Sequence, residues 1–258
     1  MLRRTGGLQT SSQHSVGIDE RVKMTELSNA VVFVTGANGG LGKEFVSQFL
    51  ERGAAKVYAS ARTPREWNDP RVVPIHLDVT SDASVAAAVE AAGDTTIVIN
   101  NAGVYRSDDV IAGGTMQDIE ETFATNFFGA VRVARAFAPV LGRNGGGALL
   151  DVHSVLSWIG LAGAYSASKA ALWSATNSFR VELAPQGTHV VGLHLGYTDT
   201  PMIADIEAPK NDPADVVRAG IDGIASNEYE VLADELSVSV KAGLAARIED
   251  LYTDLPRR

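Results

Sequence analysis

Short apolar runs alternate with amphipathic stretches along most of the chain. Seven runs rich in valine, isoleucine and leucine predict strands at residues 30–36, 56–61, 72–77, 95–100, 147–153, 188–195 and 229–233. Apolar residues at helical spacing predict helices at residues 40–53, 82–93, 116–141, 164–183, 213–225 and from Glu235 onwards. Strands that alternate with helices indicate a parallel sheet, and continuous apolar runs indicate strands that are buried on both faces.

The predicted fold class is therefore α/β: a single doubly wound domain over residues 29–258, with a seven-stranded, mostly parallel sheet and helices on both faces. Residues 1–28 are expected to form a disordered extension. The first 23 residues are polar and have no apolar core, which is unlike a secretory signal. A native extension, a start codon upstream of Met24 and an expression remnant all fit them.

Composition excludes several classes of function. The 258 residues carry a net charge of −9, which argues against nucleic acid as the main partner. The chain has no cysteine, and its five histidines show no HxxxH or HExxH spacing, so a structural disulfide or zinc site is not expected. No apolar run has the length needed to cross a bilayer. We therefore expect a cytoplasmic protein without a membrane partner.

The stretch YSASK places Tyr165 and Lys169 one helical turn apart, on one face of the predicted helix. A nearby ammonium favours the phenolate, so Lys169 would lower the pKa of Tyr165 and suit it to proton transfer. On its own, such spacing more often joins a core aromatic residue to a solvated lysine. Other motifs in the chain are needed to distinguish a catalytic pair from this ordinary arrangement.

The first strand ends in TGANGGLG, in which Gly36, Gly40 and Gly42 form a GxxxGxG pattern before a predicted helix. Glycines at such a turn permit the close approach of a pyrophosphate to a helix N-terminus. An ordinary glycine turn is the alternative.

Taken together, TGANGGLG (35–42), NNAG (100–103), Asn126, Ser154 and YSASK (165–169) resemble the short-chain dehydrogenase/reductase family in order and spacing. The resemblance extends from about Asn29 to the C-terminus. It implies a Rossmann-type fold. It also implies an oxidoreductase that transfers a hydride between a nicotinamide dinucleotide and a ketone, an aldehyde or a secondary alcohol.

The resemblance also implies a catalytic set. Tyr165 would exchange a proton with the substrate oxygen, and Ser154 would orient that oxygen. Lys169 would bond the nicotinamide ribose, and Asn126 would hold a water that links the lysine to solvent. Ser157 is a competing serine, but Ser154 follows the strand directly.

The second strand decides the expected cofactor. An acidic residue at its end favours NAD, but here Ala61 is followed by Arg62, whose guanidinium could hold a 2′-phosphate. Asn38 in the glycine turn also fits NADP(H), as in carbonyl-reductase-like members of the family. Gly39 stands where many NADP-preferring relatives have a basic residue, and Arg65 could compensate. NADP(H) is therefore expected in preference to NAD(H).

The resemblance assigns further residues to the cofactor site. Asp78 would bond the adenine amino group with help from the amide of Val79, although a helix-capping or turn role fits Asp78 equally well. Leu195 replaces a proline that is usual in the family. The full predicted cofactor set is Gly36, Asn38, Gly40, Leu41, Gly42, Arg62, Asp78, Val79, Asn101, Ala102, Gly103, Tyr165, Lys169, Thr198 and Thr200.

The expected partner is a small carbonyl or alcohol substrate in an apolar pocket formed by Trp158, Tyr197, Met202 and Ile203. The resemblance implies a homodimer or homotetramer through the two long helices. Two alternatives stay open: a nucleotide-binding regulator without catalysis, and an alcohol dehydrogenase of the same fold that prefers NAD.

Overall fold

The structure is a computed structural model that describes residues 25–106 and 109–252. Most of the predicted N-terminal extension, residues 1–24, lies outside the described residues. None of the helices in the two described ranges has the length and apolar character needed to cross a membrane.

Seven strands form one sheet in the order β3-β2-β1-β4-β5-β6-β7. They are β1 (Val31–Thr35), β2 (Lys56–Ala61), β3 (Val72–His76), β4 (Ile97–Asn100), β5 (Ala148–Val152), β6 (His189–His194) and β7 (Glu230–Leu232). All six pairings are parallel. The predicted fold class is confirmed, and the sheet is wholly rather than mostly parallel.

Eight α-helices occupy the described ranges. They are α1 (Gly40–Glu51), α2 (Asp82–Ala91), α3 (Met116–Phe123), α4 (Ala130–Arg143), α5 (Gly163–Leu183), α6 (Pro213–Ala225), α7 (Glu235–Gly243) and α8 (Ile248–Leu251). The helix in a connection between two parallel strands can cover one face of the sheet. Asp212 caps α6, with its side chain accepting a hydrogen bond from the amide of Ala214.

The long helix predicted at residues 116–141 is wrong in one respect. A π-helical segment, Ala124–Gly129, separates α3 from α4. Apolar periodicity does not reveal such a segment, because one wider turn shifts the pattern by a single residue. The segment places Asn126 at its centre, and that side chain is buried.

Two apolar cores lie on opposite faces of the sheet because neighbouring side chains of a strand point to opposite sides. Val32 and Val34 pack with Phe45 and Phe49 of α1 on one face. Phe33 packs on the other, with its ring 4.5 Å from that of Phe137 in α4. The continuous apolar runs of the sequence thus reflect burial on both faces.

A polar link interrupts the second core at the centre of the sheet. Asp151 of β5 is fully buried and accepts hydrogen bonds from Nδ2 of Asn100 at 2.9 Å and from Oγ1 of Thr176 at 2.6 Å. Burial raises the pKa of the Asp151 carboxyl, although both hydrogen bonds oppose the shift. The link ties β4, β5 and α5 together through one carboxylate.

We predict that Asp151→Asn removes a pH-dependent loss of unfolding free energy. The native state holds the Asp151 proton more tightly than the unfolded chain, so the wild-type free energy of unfolding falls as pH rises from about 4 through the raised pKa. An amide in this place keeps both neighbours paired and does not titrate. Urea unfolding of the wild type and the variant between pH 4 and 8 should show the difference in slope.

Asp151→Ala is the matched control, because it removes the carboxyl that Asn100 and Thr176 share and leaves each with its backbone acceptor alone. At pH 4, where the wild-type carboxyl is protonated, it should lose about 2–4 kcal/mol of unfolding free energy. The loss should shrink as pH rises, because Asp151→Ala, like Asp151→Asn, lacks the titrating group. Equal pH slopes in the wild type and Asp151→Asn would contradict the prediction.

Candidate active site

The carboxyl ends of β1, β4, β5 and β6 open into one cavity of about 690 Å³. The predicted site residues that line it are Gly36, Gly40, Leu41, Asn101, Ala102, Gly103, Ser154, Tyr165, Lys169, Thr198 and Thr200. The predicted residues outside its wall are Asn38, Gly42, Arg62, Asp78, Val79 and Asn126. In a parallel sheet this edge is the usual place for a ligand.

The glycine turn requires its glycines for steric reasons. Gly36 and Gly40 have φ angles of 67° and 51°, which L-residues with side chains rarely adopt. Gly42 does not line the cavity, but a Cβ there would lie 2.1 Å from the carbonyl oxygen of Gly36. Gly42 therefore allows the first turn of α1 to pack against the end of β1.

Thr35, which the sequence analysis missed, joins the turn to the end of β4. Its hydroxyl accepts hydrogen bonds from the amides of Asn101 and Ala102, each at 2.9 Å. The side chain of Asn101 donates in return to the carbonyl of Thr35 at 2.9 Å. A threonine directly before the glycine pattern was the available signal. These three hydrogen bonds hold two strand ends in register beside the cavity.

The arginines after β2 differ in their surroundings. Arg62 is exposed, whereas the guanidinium of Arg65 lies 3.8 Å from the centre of the Trp67 ring. Asn38 braces this loop, since its Nδ2 donates to the carbonyl of Thr63 at 2.6 Å. Arg65 is thus held against an indole, and Arg62 is free to reach outward from the strand end.

Asp78 and Val79 each make contacts within the protein itself. Oδ1 of Asp78 accepts from both the amide and the hydroxyl of Thr80, at 2.9 and 2.7 Å. These bonds, and more weakly the charge of Arg62, lower the pKa of Asp78. The Val79 side chain is buried against Gly129 of the π-helical segment. Asp78 therefore forms the expected turn and also lies near Arg62.

The two candidate serines after β5 take different positions. The hydroxyl of Ser154 accepts from the amide of Leu156 at 3.1 Å and is hydrogen-bonded to Tyr165. Ser157 turns back, and its hydroxyl accepts from the amide of Ser154 at 3.3 Å. Ser154 lines the cavity, whereas Ser157 caps the short turn that begins there.

Tyr165 and Lys169 share one face of α5, as predicted, but the expected effect on the tyrosine is not found. Burial raises the pKa of Tyr165 to about 12, and the hydrogen bond from Ser154 opposes this shift. The Lys169 ammonium lies 5.8 Å from the centre of the tyrosine ring and donates to the carbonyl of Val152 at 2.7 Å. Burial lowers the pKa of Lys169 to about 8, against the charge of Asp151.

Asn126 is clamped inside the protein rather than exposed. Its Oδ1 accepts from the amide of Val104 at 2.8 Å, and its Nδ2 lies 2.9 Å from the carbonyl of Val104 and 3.1 Å from the hydroxyl of Ser168. Asn126 therefore fixes the chain after Gly103 against α5, next to Lys169.

Thr198 and Thr200 lie on the segment that follows β6. Thr200 approaches the glycine turn so closely that a Cβ on Gly40 would lie 3.2 Å from its methyl group. The hydroxyl of the buried Thr198 donates to the carbonyl of Gly196 at 3.2 Å. Leu195, which stands where the family usually has proline, is buried just before this segment.

The mouth of the cavity is apolar. Leu161, Tyr197 and Met202 are exposed there, and Ile203 and Ile206 lie beside them. Trp158, which was expected in this pocket, instead stacks on His194 behind Ser154. The expectation of an apolar pocket is supported, but Trp158 is not in its wall.

Comparison with known proteins identifies the family. Residues 30–211 match the model of the short chain dehydrogenase family. The chain therefore belongs to the short-chain dehydrogenase/reductase family, as the sequence motifs indicated.

Individual relatives agree with this assignment. The chain is 30% identical over 206 residues to the short chain dehydrogenase tazN of Aspergillus terreus; the match covers 72% of this chain and 45% of that longer protein. It is 30% identical over 196 residues to a 3-ketodihydrosphingosine reductase of Bacteroides thetaiotaomicron, with 72% of each protein covered.

A solved structure is similar over almost the whole fold. A short chain dehydrogenase from Burkholderia cenocepacia in complex with NADP superimposes with a TM-score of 0.85 at 34% identity. The match covers 90% of this chain and 100% of that one.

A pair of glycine substitutions tests the packing of the turn. Gly42→Ala should reduce the free energy of unfolding by about 1–3 kcal/mol, because the added methyl overlaps the Gly36 carbonyl. Gly39→Ala is the control, since a Cβ there meets nothing within 4 Å and its φ of −158° suits any residue. Chemical denaturation of both variants measures the difference; equal stabilities would contradict the close approach.

Proposed function

We propose that this protein is an NADP(H)-dependent oxidoreductase that interconverts an uncharged, apolar ketone or aldehyde and the corresponding alcohol. The observation that carries the proposal is the cluster of Ser154, Tyr165 and Lys169 at one wall of an apolar cavity. The glycine turn forms the opposite part of the same cavity. Membership of the short-chain dehydrogenase/reductase family supports an oxidoreductase.

The chain's residues fit a nicotinamide dinucleotide. The glycine turn presents backbone without side chains at the N-terminus of α1, which suits a pyrophosphate. Ala102 and Gly103 leave similar room at the end of β4, and Thr198 and Thr200 line the same cavity. When bound, the cofactor supplies or accepts the hydride.

The preference for NADP(H) rests on charge. Arg62 is exposed at the end of β2, and the strand ends in Ala61 instead of an acid, so a 2′-phosphate would meet a guanidinium rather than a carboxylate. Asp78 would bind the adenine with the oxygen that Thr80 does not occupy. The Burkholderia cenocepacia relative was solved with NADP, which supports the same choice.

Tyr165 is suited to donate a proton. Because its pKa is raised to about 12, the phenol is protonated at neutral pH and can give its proton to the oxygen of a ketone during reduction. Ser154, hydrogen-bonded to Tyr165, would orient that oxygen. Lys169 would bind the cofactor ribose, and Asn126 keeps the adjoining loop in place. The oxidation of an alcohol needs the reverse transfer and is favoured at higher pH.

The cavity wall indicates the substrate class. Among the described residues that line it, Lys169 is the lone lysine or arginine and there is no carboxylate. The remaining wall near Tyr165 is formed by Tyr105, Leu156 and Ile159. An anionic substituent would lose its hydration without gaining a partner at the apolar mouth.

We also propose that residues 29–258 form one domain and that the protein is a homodimer or homotetramer. A cytoplasmic location stays a prediction.

Tyr165→Phe should bind NADPH normally but lose turnover by about 100-fold or more, because the proton donor is removed. The measurement is NADPH oxidation with a panel of neutral aryl and alkyl ketones and their carboxylated analogues. We expect turnover of the neutral compounds alone. Tyr229→Phe, at an exposed position, is the matched control.

Full activity of Tyr165→Phe would contradict the proton-transfer role. NADPH binding by the wild type without turnover of any carbonyl would favour the alternative, a regulator that binds the nucleotide without catalysis.

Arg62→Ala should weaken NADPH binding by roughly 10- to 100-fold and leave NADH binding unchanged, because a charge-assisted hydrogen bond contributes about 1.5–3 kcal/mol. Titration of nicotinamide fluorescence gives both affinities. Arg65→Ala is the contrasting variant, since its guanidinium is stacked on Trp67. An equal effect on both cofactors, or none, would favour the NAD-preferring alternative.

A further inference from the structure

A stack of aromatic rings lies directly behind Ser154. The ring of His194, on β6, stacks on Trp158 with 4.0 Å between centroids and 14° between planes, and it lies 4.7 Å from the ring of His153. Both histidine side chains are at most 1% exposed. The proton transfer proposed above uses neither ring, so their position beside the site needs another explanation.

His194 lies between two hydrogen-bond acceptors. Its Nδ1 is 3.3 Å from the carbonyl oxygen of Ser154, and its Nε2 is 3.4 Å from Oε1 of Glu230 on β7. A neutral imidazole carries one N–H and can donate to only one of these oxygens, whereas an imidazolium donates to both. The position of the ring proton is therefore decided by the two neighbours.

Glu230 has partners besides the histidine. Its Oε2 lies 2.6 Å from the ammonium of Lys241, and its Oε1 accepts from Nε1 of Trp173 at 3.1 Å. The 3.4 Å separation from His194 is long for a hydrogen bond. Two other donors already hold Glu230, and the shorter contact of the ring is the one from Nδ1 to the Ser154 carbonyl.

The charges around the ring favour a neutral histidine. Burial lowers the pKa of His194; the contact with Glu230 raises it and the charge of Lys241 lowers it, so the net shift is downward. His153, directly after β5, also has a pKa lowered by burial first and then by the nearby His194, Lys169 and Arg180. With one N–H at neutral pH, the ring can hold one oxygen.

We propose that His194 is a positioning residue for Ser154: its Nδ1–H holds the main-chain carbonyl of the serine, and the stack on Trp158 fixes the plane of the imidazole. The hydroxyl of Ser154 meets Tyr165 two residues beyond β5, just after the backbone leaves the strand. A hold on the carbonyl therefore fixes the serine relative to the tyrosine. The proposal rests on the proposed function of that pair.

Two substitutions of His194 separate the N–H from the ring. His194→Phe keeps an aromatic ring against Trp158 but has no donor, whereas His194→Asn lacks the ring and keeps a donor near the position of Nδ1. We expect kcat to fall about 10- to 100-fold in His194→Phe, with the KM and the NADPH dissociation constant unchanged, and to recover largely in His194→Asn. His189→Asn, at the other end of β6, is the control and should match the wild type.

Wild-type kcat in His194→Phe, or equal losses in His194→Phe and His194→Asn, would overturn the proposal. If His194→Phe does not fold, His194→Gln replaces it, because its longer side chain moves the donor from the Ser154 side toward Glu230. Loss of kcat in His194→Gln and recovery in His194→Asn would then support the proposal, and the reverse order would overturn it.

A readout that needs no turnover tests the contact with Glu230. Tryptophan emission should change on acidification when the ring stacked on Trp158 gains a charge. Glu230→Gln should move this change to lower pH, because the carboxylate that favours the charged ring is removed. An unmoved transition would contradict the contact between Glu230 and the charged ring. If the wild type reduces no ketone while this shift is still seen, the proposed function fails and the His194–Glu230 contact stands.

Discussion

The parallel pairing of β4 with β5 at the centre of the sheet is the constraint on which the cavity depends. It brings Asn100 beside Asp151 and lets one buried carboxylate bind both neighbouring elements. Because all strands run the same way, Gly36, Asn101, Ser154 and Leu195 come together at a single edge. These four residues, which span 159 positions of the chain, can then line one cavity.

The polar groups around this edge divide into supporting groups and groups directed toward a ligand. The hydrogen bonds of Thr35, Asn101 and Asn126 hold strand ends and loops together. Ser154 and Tyr165 instead point into the cavity and contact each other. The buried Lys169 has a cost in stability, because burial lowers its pKa and so disfavours the charged ammonium there.

The structure changes the interpretation of several sequence motifs. The four-residue spacing of Tyr165 and Lys169 predicted that the lysine would lower the pKa of the tyrosine. Instead, burial raises the pKa of Tyr165, and the lysine donates to the carbonyl of Val152. Asp78 was equally compatible with a turn or with a ligand, and its bonds to Thr80 establish the turn while leaving the ligand role a proposal. The π-helical segment at Asn126 had no counterpart in the apolar pattern.

The sequence by itself determined the α/β class, all seven strands and the family, because continuous apolar runs, capping residues and a glycine turn are local features with local physical causes. It also ranked Ser154 above Ser157. Only the tertiary structure decided the direction of the Tyr165 pKa, the support from Thr35 and the stack of His153, His194 and Trp158. These depend on burial and on contacts between distant strands, which spacing along the chain does not encode.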